Sequence, residues 1–447
     1  MVFKKAREVL SIIESHGYAA LIVGGAVRDL VMNRTVPDID LATDMPLETL
    51  SGLFSSQASG KSRRFGILGI RYQGARFEVS KMCPGTKSQG QGQGPVSDER
   101  RQDLFRADAL HRDFTINAMA MDRQGRVLDP LNGRQDIKNR IIRAVREPER
   151  VFNDDSLRLL RAVRFACTFG FEMDPRTFEG LRRSSLRITR AAPERTGMEI
   201  MKMASLPGKD FARALSLMEE TYLLDRVLPE IGRLRYLEHN PLHHPEGGVL
   251  EHTLAALRAG KDPDPGINLS ILFHDAGKAL SLEYKNNQPV YHGHDQSGEE
   301  IIRKAGQRLR WSGRLVETLC FVCRNHMKAL DLGRMKPSKV FRLMTHLHWP
   351  VLKAVARCDL QARGKDRADK FEHELHEAAL RLEKWLDREK GSSRPVITGR
   401  QVMEYTGLSQ GPEVGKVLEL TTSWAIDNQV TDADRIREFA RSCARRI

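Results

Sequence analysis

The sequence predicts an α+β protein, with a mixed β-sheet at the amino-terminal end and helices over the rest. Three observations carry this. Residues 21–43, LIVGGAVRDLVMNRTVPDIDLAT, read as a buried strand ending at Val23, a Gly24-Gly25 turn, a short helix over 26–32 and a second extended segment. Residues 66–72 and 75–80 read as two more strands joined across Gln73-Gly74, the hairpin of a mixed sheet. Helical patterns then cover 152–165, 201–236 and 365–390.

With 447 residues the chain is long enough for about three domains. Hydrophobic residues make up 40% and charged residues 29%, an ordinary globular balance, and no apolar run is long enough to span a bilayer. The first 18 residues, MVFKKAREVLSIIESHGY, read as an amphipathic helix without a signal-peptide apolar region, so a cytoplasmic location is expected. Six cysteines with no framework of spacings suit a reducing compartment. A net charge of +14, from 72 Lys and Arg against 58 Asp and Glu, points to a polyanionic partner, most simply RNA or DNA.

Taken in order, the first chemistry is in 21–43. Backbone amides at a glycine turn and helix start can cradle a phosphate, and Arg28, one turn in, adds a fixed cation. If residues 37–42 are extended, the period of two puts Asp38 and Asp40 on one face and Ile39 in the core. Paired carboxylates stay ionised when a cation sits between them, and Mg²⁺ held by one or two carboxylates plus substrate phosphates is the usual arrangement. Either half alone has a plainer reading as a turn or a strand end; their joint occurrence in one short unit argues for a site. Glu78, in the second hairpin strand, is a third carboxylate for that site or an exposed strand residue. Residues 83–98 form a Gly/Gln/Ser tract that cannot bury apolar surface and is expected to be a loop. Arg112 and Asp113, in LHRDFTINA, suggest charge at the edge of the site, within reach of triphosphate and ribose.

In the block FNDDSLRLLRAVRF, a helix puts Asp155, Arg158 and Arg161 on one face at one-turn spacing, with Leu157, Leu160 and Phe165 toward the core. A salt-bridged solvent face explains this spacing. So does base reading: a carboxylate acceptor beside a guanidinium donor matches the Watson–Crick edge of cytosine or adenine, whereas uracil and guanine present the reverse pattern.

The second half is rich in histidine, with seven from His243 to His326 interspersed with carboxylates at Glu246, Glu251, Asp275, Asp295 and, further on, Asp359. Neutral imidazoles suit divalent transition metals, and neighbouring carboxylates add charge and orientation. Cys320 and Cys323 have no second pair at zinc-finger spacing and are expected to be buried helical thiols. Residues 391–393 read as a linker, and Arg441 to Arg446 give the tail a basic end.

GGAVRD, DIDLAT, RDFTINA, DPLNG, DDSLRLLRAVRF and ERTGME occur in the same order as in class II tRNA nucleotidyltransferases, the bacterial-type CCA-adding enzymes and their poly(A) polymerase relatives, which this chain resembles over roughly its first half. The resemblance implies a palm-like sheet head over 1–145 and a helical neck and body over 146–238. It further implies Asp38 and Asp40 as catalytic Mg²⁺ ligands, and Gly25, Arg28, Arg112, Asp155, Arg158, Arg161 and Arg164 as nucleotide-binding residues. The order His…His-Asp…Asp is similar to the HD phosphohydrolase domain, which implies a helical domain over 239–390 whose His252, His274, Asp275 and Asp359 hold a divalent transition metal such as Ni²⁺ or Mn²⁺. His294 and His326 are then extra ligands or substrate contacts. Residues 391–447 resemble the family's helical tail.

The expected activity is addition or repair of the 3′-terminal CCA of tRNA from CTP and ATP, with phosphatase or 2′,3′-cyclic phosphodiesterase activity at the HD centre. The alternatives are a CC-adding, A-adding or poly(A)-adding enzyme of the same family, or a protein whose main activity is the phosphohydrolase. The chain departs from the family where Arg-Arg-Asp is His111-Arg112-Asp113, where Glu-Asp is Asp154-Asp155, and where Thr-Thr-Phe-Arg is Ser80-Lys81-Met82-Cys83. The last departure leads into the Gly/Gln tract, in the loop that helps this family switch from C to A. Lys81 or Arg100-Arg101 is available to replace the missing charge. Oligomeric state is not legible in the sequence.

Overall fold

The computed structural model describes residues 2–57, 66–82, 96–238, 247–286, 288–387 and 392–447. Residues 83–95 of the expected Gly/Gln/Ser loop, the histidines His243 and His244 with Glu246, and Gly391 of the expected linker lie outside the described residues; the end of that loop is helical instead, Ser97 capping a helix that starts at Asp98. The chain divides into two units, Met1–Met203 with Arg213–Val227, and Ala204–Ala212 with Leu228–Ile447.

The first unit is built on a seven-stranded sheet with β1 (Ala20–Val23), β2 (Asp40–Thr43), β3 (Ser55–Gln57), β4 (Ile67–Tyr72), β5 (Ala75–Lys81), β6 (Ala120–Met121) and β7 (Val127–Leu128), in spatial order 3-4-5-2-1-6-7. All neighbours are antiparallel except β2 and β5, so the sheet is mixed as expected. Gln73 and Gly74 both have positive φ, 46° and 77°, the conformation that joins two strands with matching twist. The amino-terminal helix Val2–Ser15 buries Ala6, Val9, Leu10 and Ile13 in the same core as Ile22, Leu41, Leu68, Phe77 and Val79. This is the amphipathic stripe read from the sequence.

The 152–165 block is not one helix. A helix over Pro148–Asp154 ends at Asp155, whose backbone is extended (φ −147°), and a second helix runs from Arg158 to Phe169. Asp155 causes the break by local hydrogen bonding: its carboxylate accepts from Leu157 N–H at 3.0 Å and its carbonyl from Arg158 N–H at 3.0 Å. Short polar side chains compete with the helix ladder in this way. Asp155 therefore does not share a helix with Arg158 and Arg161. The second helix closes at Gly170, which is left-handed (φ 64°).

The second unit is helical around the histidine-rich segments, with helices Val249–Ala259, Pro265–Phe273, His294–Arg308, Gly313–Ala329 and Trp349–Ala362. Side-chain caps fix two of these starts: Asp264 caps Ile267 N–H before Pro265, and Ser312 caps Leu315 N–H. A β-hairpin, Leu282–Lys285 with Gln288–Tyr291, follows the His274-Asp275 pair. The tail helices Gly399–Thr406, Pro412–Asp427 and Ala433–Ala444 share their own core of Val402, Val417, Ala425 and Ala440, and Trp424 stacks on Phe439 with centroids 4.1 Å apart. A capping box between Thr398 and Gln401 starts the first of them. The five described cysteines are free and buried, Cys320 and Cys323 included. Among the described residues no helix is long and apolar enough to cross a membrane.

Candidate nucleotide site and candidate metal centre

In the first unit the carboxylates lie at one end of the parallel pair. Ile39 is buried while Asp38 and Asp40 are exposed on either side of it, and Asp40 stands in register with Glu78 on β5. Although the residue is exposed, partial desolvation of its carboxyl raises Asp40 above the ordinary carboxylate range; Glu78 and Asp38 push it the same way, and Arg112 pulls it back. Glu78 is thus a neighbour of the acidic pair, and three hard oxygen donors crowding one another suit a cation such as Mg²⁺. At the turn, Gly24 has φ 69°, and a Cβ there would lie 3.3 Å from Arg112 Nη1. The Gly24 amide is spent on Met119 O at 3.2 Å, so the first-turn amides after it are those left to meet an anion.

The arginines are held by acids of their own. Arg112 pairs with Asp108 at 2.9 Å, Arg161 with Asp113 at 2.6 Å, and Arg164 with Glu199 at 2.6 Å. Arg28 bonds Asp29 at 2.8 Å and Asn117 at 2.7 Å. Burial alone would raise the Asp113 carboxyl, but Arg161, Asn117 and the Phe114 amide outweigh it and hold it below the usual range. Burial likewise opposes ionisation of Glu199, and Arg164 and Lys202 reverse the balance. Arg158 donates to His111 O at 2.5 Å and Val151 O at 3.3 Å, leaving Asp155 to Arg195 at 2.7 Å. Four guanidinium groups, those of Arg28, Arg34, Arg161 and Arg164, lie over the parallel rings of Phe165 and Phe169, 4.2–5.3 Å from a ring centroid. The sequence signal for this pair is the i,i+4 spacing of Phe165 and Phe169.

In the second unit His252, His274, Asp275 and Asp359 are all buried. His252 and His274 rings lie 5.6 Å apart, His274 Nε2 is 3.2 Å from Asp275 Oδ2, and His252 Nε2 is 2.9 Å from Asp359 Oδ1. His326 and His294 approach Asp275 Oδ1 at 3.5 and 3.7 Å. Two donor groups therefore gather around Asp275: His252 with His274, and His294 with His326. The tautomers follow from geometry. Nδ1 of His274, His294 and His326 meets the carbonyl three residues earlier at 2.7, 2.8 and 2.7 Å, and a carbonyl only accepts. Each neutral ring thus presents an Nε2 lone pair inward, and those of His294 and His326 face each other at 3.3 Å. A nitrogen-rich set of opposed lone pairs around a carboxylate fits a divalent transition metal.

Two cations, Lys278 and Arg363, sit beside this set. Burial would raise the Asp275 carboxyl, but its surroundings, among them Lys278 with its Nζ 2.7 Å away, hold it well below the usual range. Arg363 forks onto Asp359 at 2.8 and 2.9 Å, so that carboxylate is shared between Arg363 and His252. The signals were present: Lys278 is three residues from Asp275, and Arg363 is four from Asp359.

Residues 20–143 match the family profile described as Poly A polymerase head domain, and residues 170–234 match the one described as Probable RNA and SrmB-binding site of polymerase A. The CC-adding tRNA nucleotidyltransferase of Thermus thermophilus is 30% identical over 432 residues, covering 94% of this chain and 92% of that one. The chain belongs to the bacterial-type CCA-adding enzyme and poly(A) polymerase family. Among other family members, the A-adding tRNA nucleotidyltransferase of Deinococcus radiodurans is 28% identical over 439 residues, 95% of each chain. The CCA-adding enzyme of Geobacillus stearothermophilus is 36% identical over 227 residues, 49% of this chain and 54% of the relative; the chain thus spans about half the length of that relative. The crystal structure of Bacillus stearothermophilus CCA-adding enzyme in complex with CTP shares the family fold, with a TM-score of 0.68 at 24% identity over 99% of this chain and 98% of that one.

Proposed function

We propose that this family member is a cytoplasmic tRNA nucleotidyltransferase that builds the 3′-terminal CCA from CTP and ATP without a nucleic-acid template. The observation that carries this reading is the acidic edge of Asp40 and Glu78 on neighbouring strands with Asp38 just before the first of them, and Arg112 acting on Asp40. In the reaction the RNA 3′-hydroxyl attacks the α-phosphorus, a phosphodiester forms, and the bond to pyrophosphate breaks. Asp38, Asp40 and Glu78 would hold Mg²⁺, which when bound would supply charge compensation for the triphosphate and acidity for the hydroxyl. Gly25 leaves room for the ligand, Arg28 and Arg112 hold phosphates, and Arg161 and Arg164 are fixed by Asp113 and Glu199. Asp155 and Arg158 read the base; since Arg195 occupies Asp155, an incoming amino group takes over a carboxylate that is already ordered.

Giving the purified chain a tRNA that lacks CCA, with CTP, ATP or both, and sizing the products tests this. Full CCA is expected, and Asp38→Ala or Asp40→Ala should abolish it; near wild-type extension by either variant overturns the metal assignment. A product that stops at CC supports the second reading, a CC-adding enzyme, favoured by the Thermus relative and by the Ser80-Lys81-Met82-Cys83 departure. The domain boundaries at 145, 238 and 390 remain part of this proposal. The histidine centre is proposed as an HD-type phosphohydrolase site in which a transition metal such as Ni²⁺ or Mn²⁺ is held by His252, His274, Asp275 and Asp359, with His294 and His326 as further ligands. No hydrolysis of a 2′,3′-cyclic phosphate with added Ni²⁺, Mn²⁺ or Mg²⁺ would overturn that part.

A further inference from the structure

We propose that Asn117 is a positioning residue that locks Arg28 and Arg161 into one frame around the nucleoside triphosphate, an inference that rests on the nucleotide-adding reading above. Asn117 ends the short 3₁₀ turn Thr115–Asn117 and is only 6% exposed. Its Oδ1 accepts from Arg28 Nη1 at 2.7 Å, and its Nδ2 donates to Asp113 Oδ1 at 3.0 Å. The other oxygen of Asp113 accepts from Arg161 Nε and Nη2 at 2.9 and 2.6 Å. The amide has one possible orientation here, because a guanidinium only donates and an ionised carboxylate only accepts. Its two ends are held by opposite charges.

Arg28 and Arg161 both lie over the Phe165 ring, at 5.3 and 5.1 Å from its centroid, so the two cations are close neighbours. Asp113 acts electrostatically on Arg28 as well as on Arg161. Without a spacer of asparagine's length and polarity, both guanidinium groups would compete for one carboxylate. Asn117 satisfies Arg28 while keeping it off Asp113, which leaves that carboxylate to orient Arg161. The charged groups around the amide are Arg28 and Asp113 in contact with it, Arg112 Nη1 at 3.5 Å from the Asn117 carbonyl, and Asp29, Arg161 and Arg164 behind them.

Steady-state extension of tRNA by the full chain, with CTP and ATP varied separately over a range of pH, tests the proposal. Asn117→Ala should raise KM for both triphosphates by about tenfold or more, the scale of one lost hydrogen bond to a charged group, with a smaller change in kcat. Asn117→Asp should resemble it at neutral pH, where a second carboxylate opposes Asp113. On acidification the introduced acid becomes neutral, accepts from Arg28 through its carbonyl and donates to Asp113 through its hydroxyl, so kcat/KM relative to wild type should rise. A merely structural asparagine gives no such acid rescue. If Asn117→Ala does not fold, the pH profile of Asn117→Asp carries the test. A KM for Asn117→Ala within about twofold of wild type, or an Asn117→Asp profile parallel to wild type, overturns the inference while an active wild type leaves the underlying reading standing. A wild type that adds no nucleotide overturns both.

Discussion

Asp40→Asn should make the first unit more stable in metal-free buffer while abolishing nucleotide addition. Neighbouring strands are about 4.8 Å apart, and two unit charges at that separation repel by about 0.9 kcal/mol in bulk water and about 3.5 kcal/mol at an effective dielectric of 20. Glu78 and Asp38 are both exposed, so the solvated end of that range applies. Relief from the two together is about 1–2 kcal/mol, or a rise of about 2–8 °C in thermal midpoint for a unit of this size. Thermal melts in EDTA, compared with melts in Mg²⁺, read the effect. The sign also fixes the pH dependence. The Asp40 carboxyl is raised in the folded state, so its ionisation weakens folding as pH climbs through that raised value, and the advantage of the asparagine should shrink as pH falls through it. A variant no more stable than wild type in EDTA, or an advantage that persists unchanged in acid, refutes the account of a crowded acidic edge.

Asp155→Ala should relax discrimination against UTP and GTP about tenfold or more, through loss of the acceptor facing the base edge; unchanged preference in single-nucleotide addition refutes the base-reading role. Glu199→Gln removes a buried charge partner of Arg164 and should cost about 1–3 kcal/mol at neutral pH. Because Arg164 and Lys202 hold Glu199 below the ordinary range, that difference is present at neutral pH and disappears as pH falls through the lowered value, which denaturant melts at several pH values check. Arg363→Met frees Asp359 from its fork and should tighten Ni²⁺ binding in calorimetry, whereas His294→Ala should weaken it; the reverse order refutes the proposed ligand set.

Much of the head was legible because its signals are local. The Gln73-Gly74 turn, the amphipathic first helix and the alternation of Asp38, Ile39 and Asp40 each depend on residues a few positions apart. The break at Asp155 is hidden because helix spacing continues through it; the local bonds of Asp155 to the Leu157 and Arg158 amides stop the ladder. The pairing of Asp155 with Arg195, 40 residues away, and of Arg28 with Asn117, 89 residues away, depends on tertiary packing and leaves no periodic trace. In the second unit the histidines announced themselves by number, but their orientation did not, since it is set by backbone carbonyls. Arg363 and Lys278 were legible in principle, each within one helical turn of a predicted ligand.

The way those imidazoles are oriented has a consequence for how the centre can be rebuilt or can drift. His274, His294 and His326 each donate to the carbonyl of the residue three positions before, Ile271, Tyr291 and Cys323. Every amino acid carries that carbonyl, so the side chains there can change without the rings losing their anchors. Statistical methods that seek supporting residues through correlated substitutions will find no partner for the Nδ1 side of these rings. Where both residues are helical, as for Ile271 with His274 and Cys323 with His326, the same three-residue offset can be carried into another helical scaffold with the histidine as the only prescribed side chain.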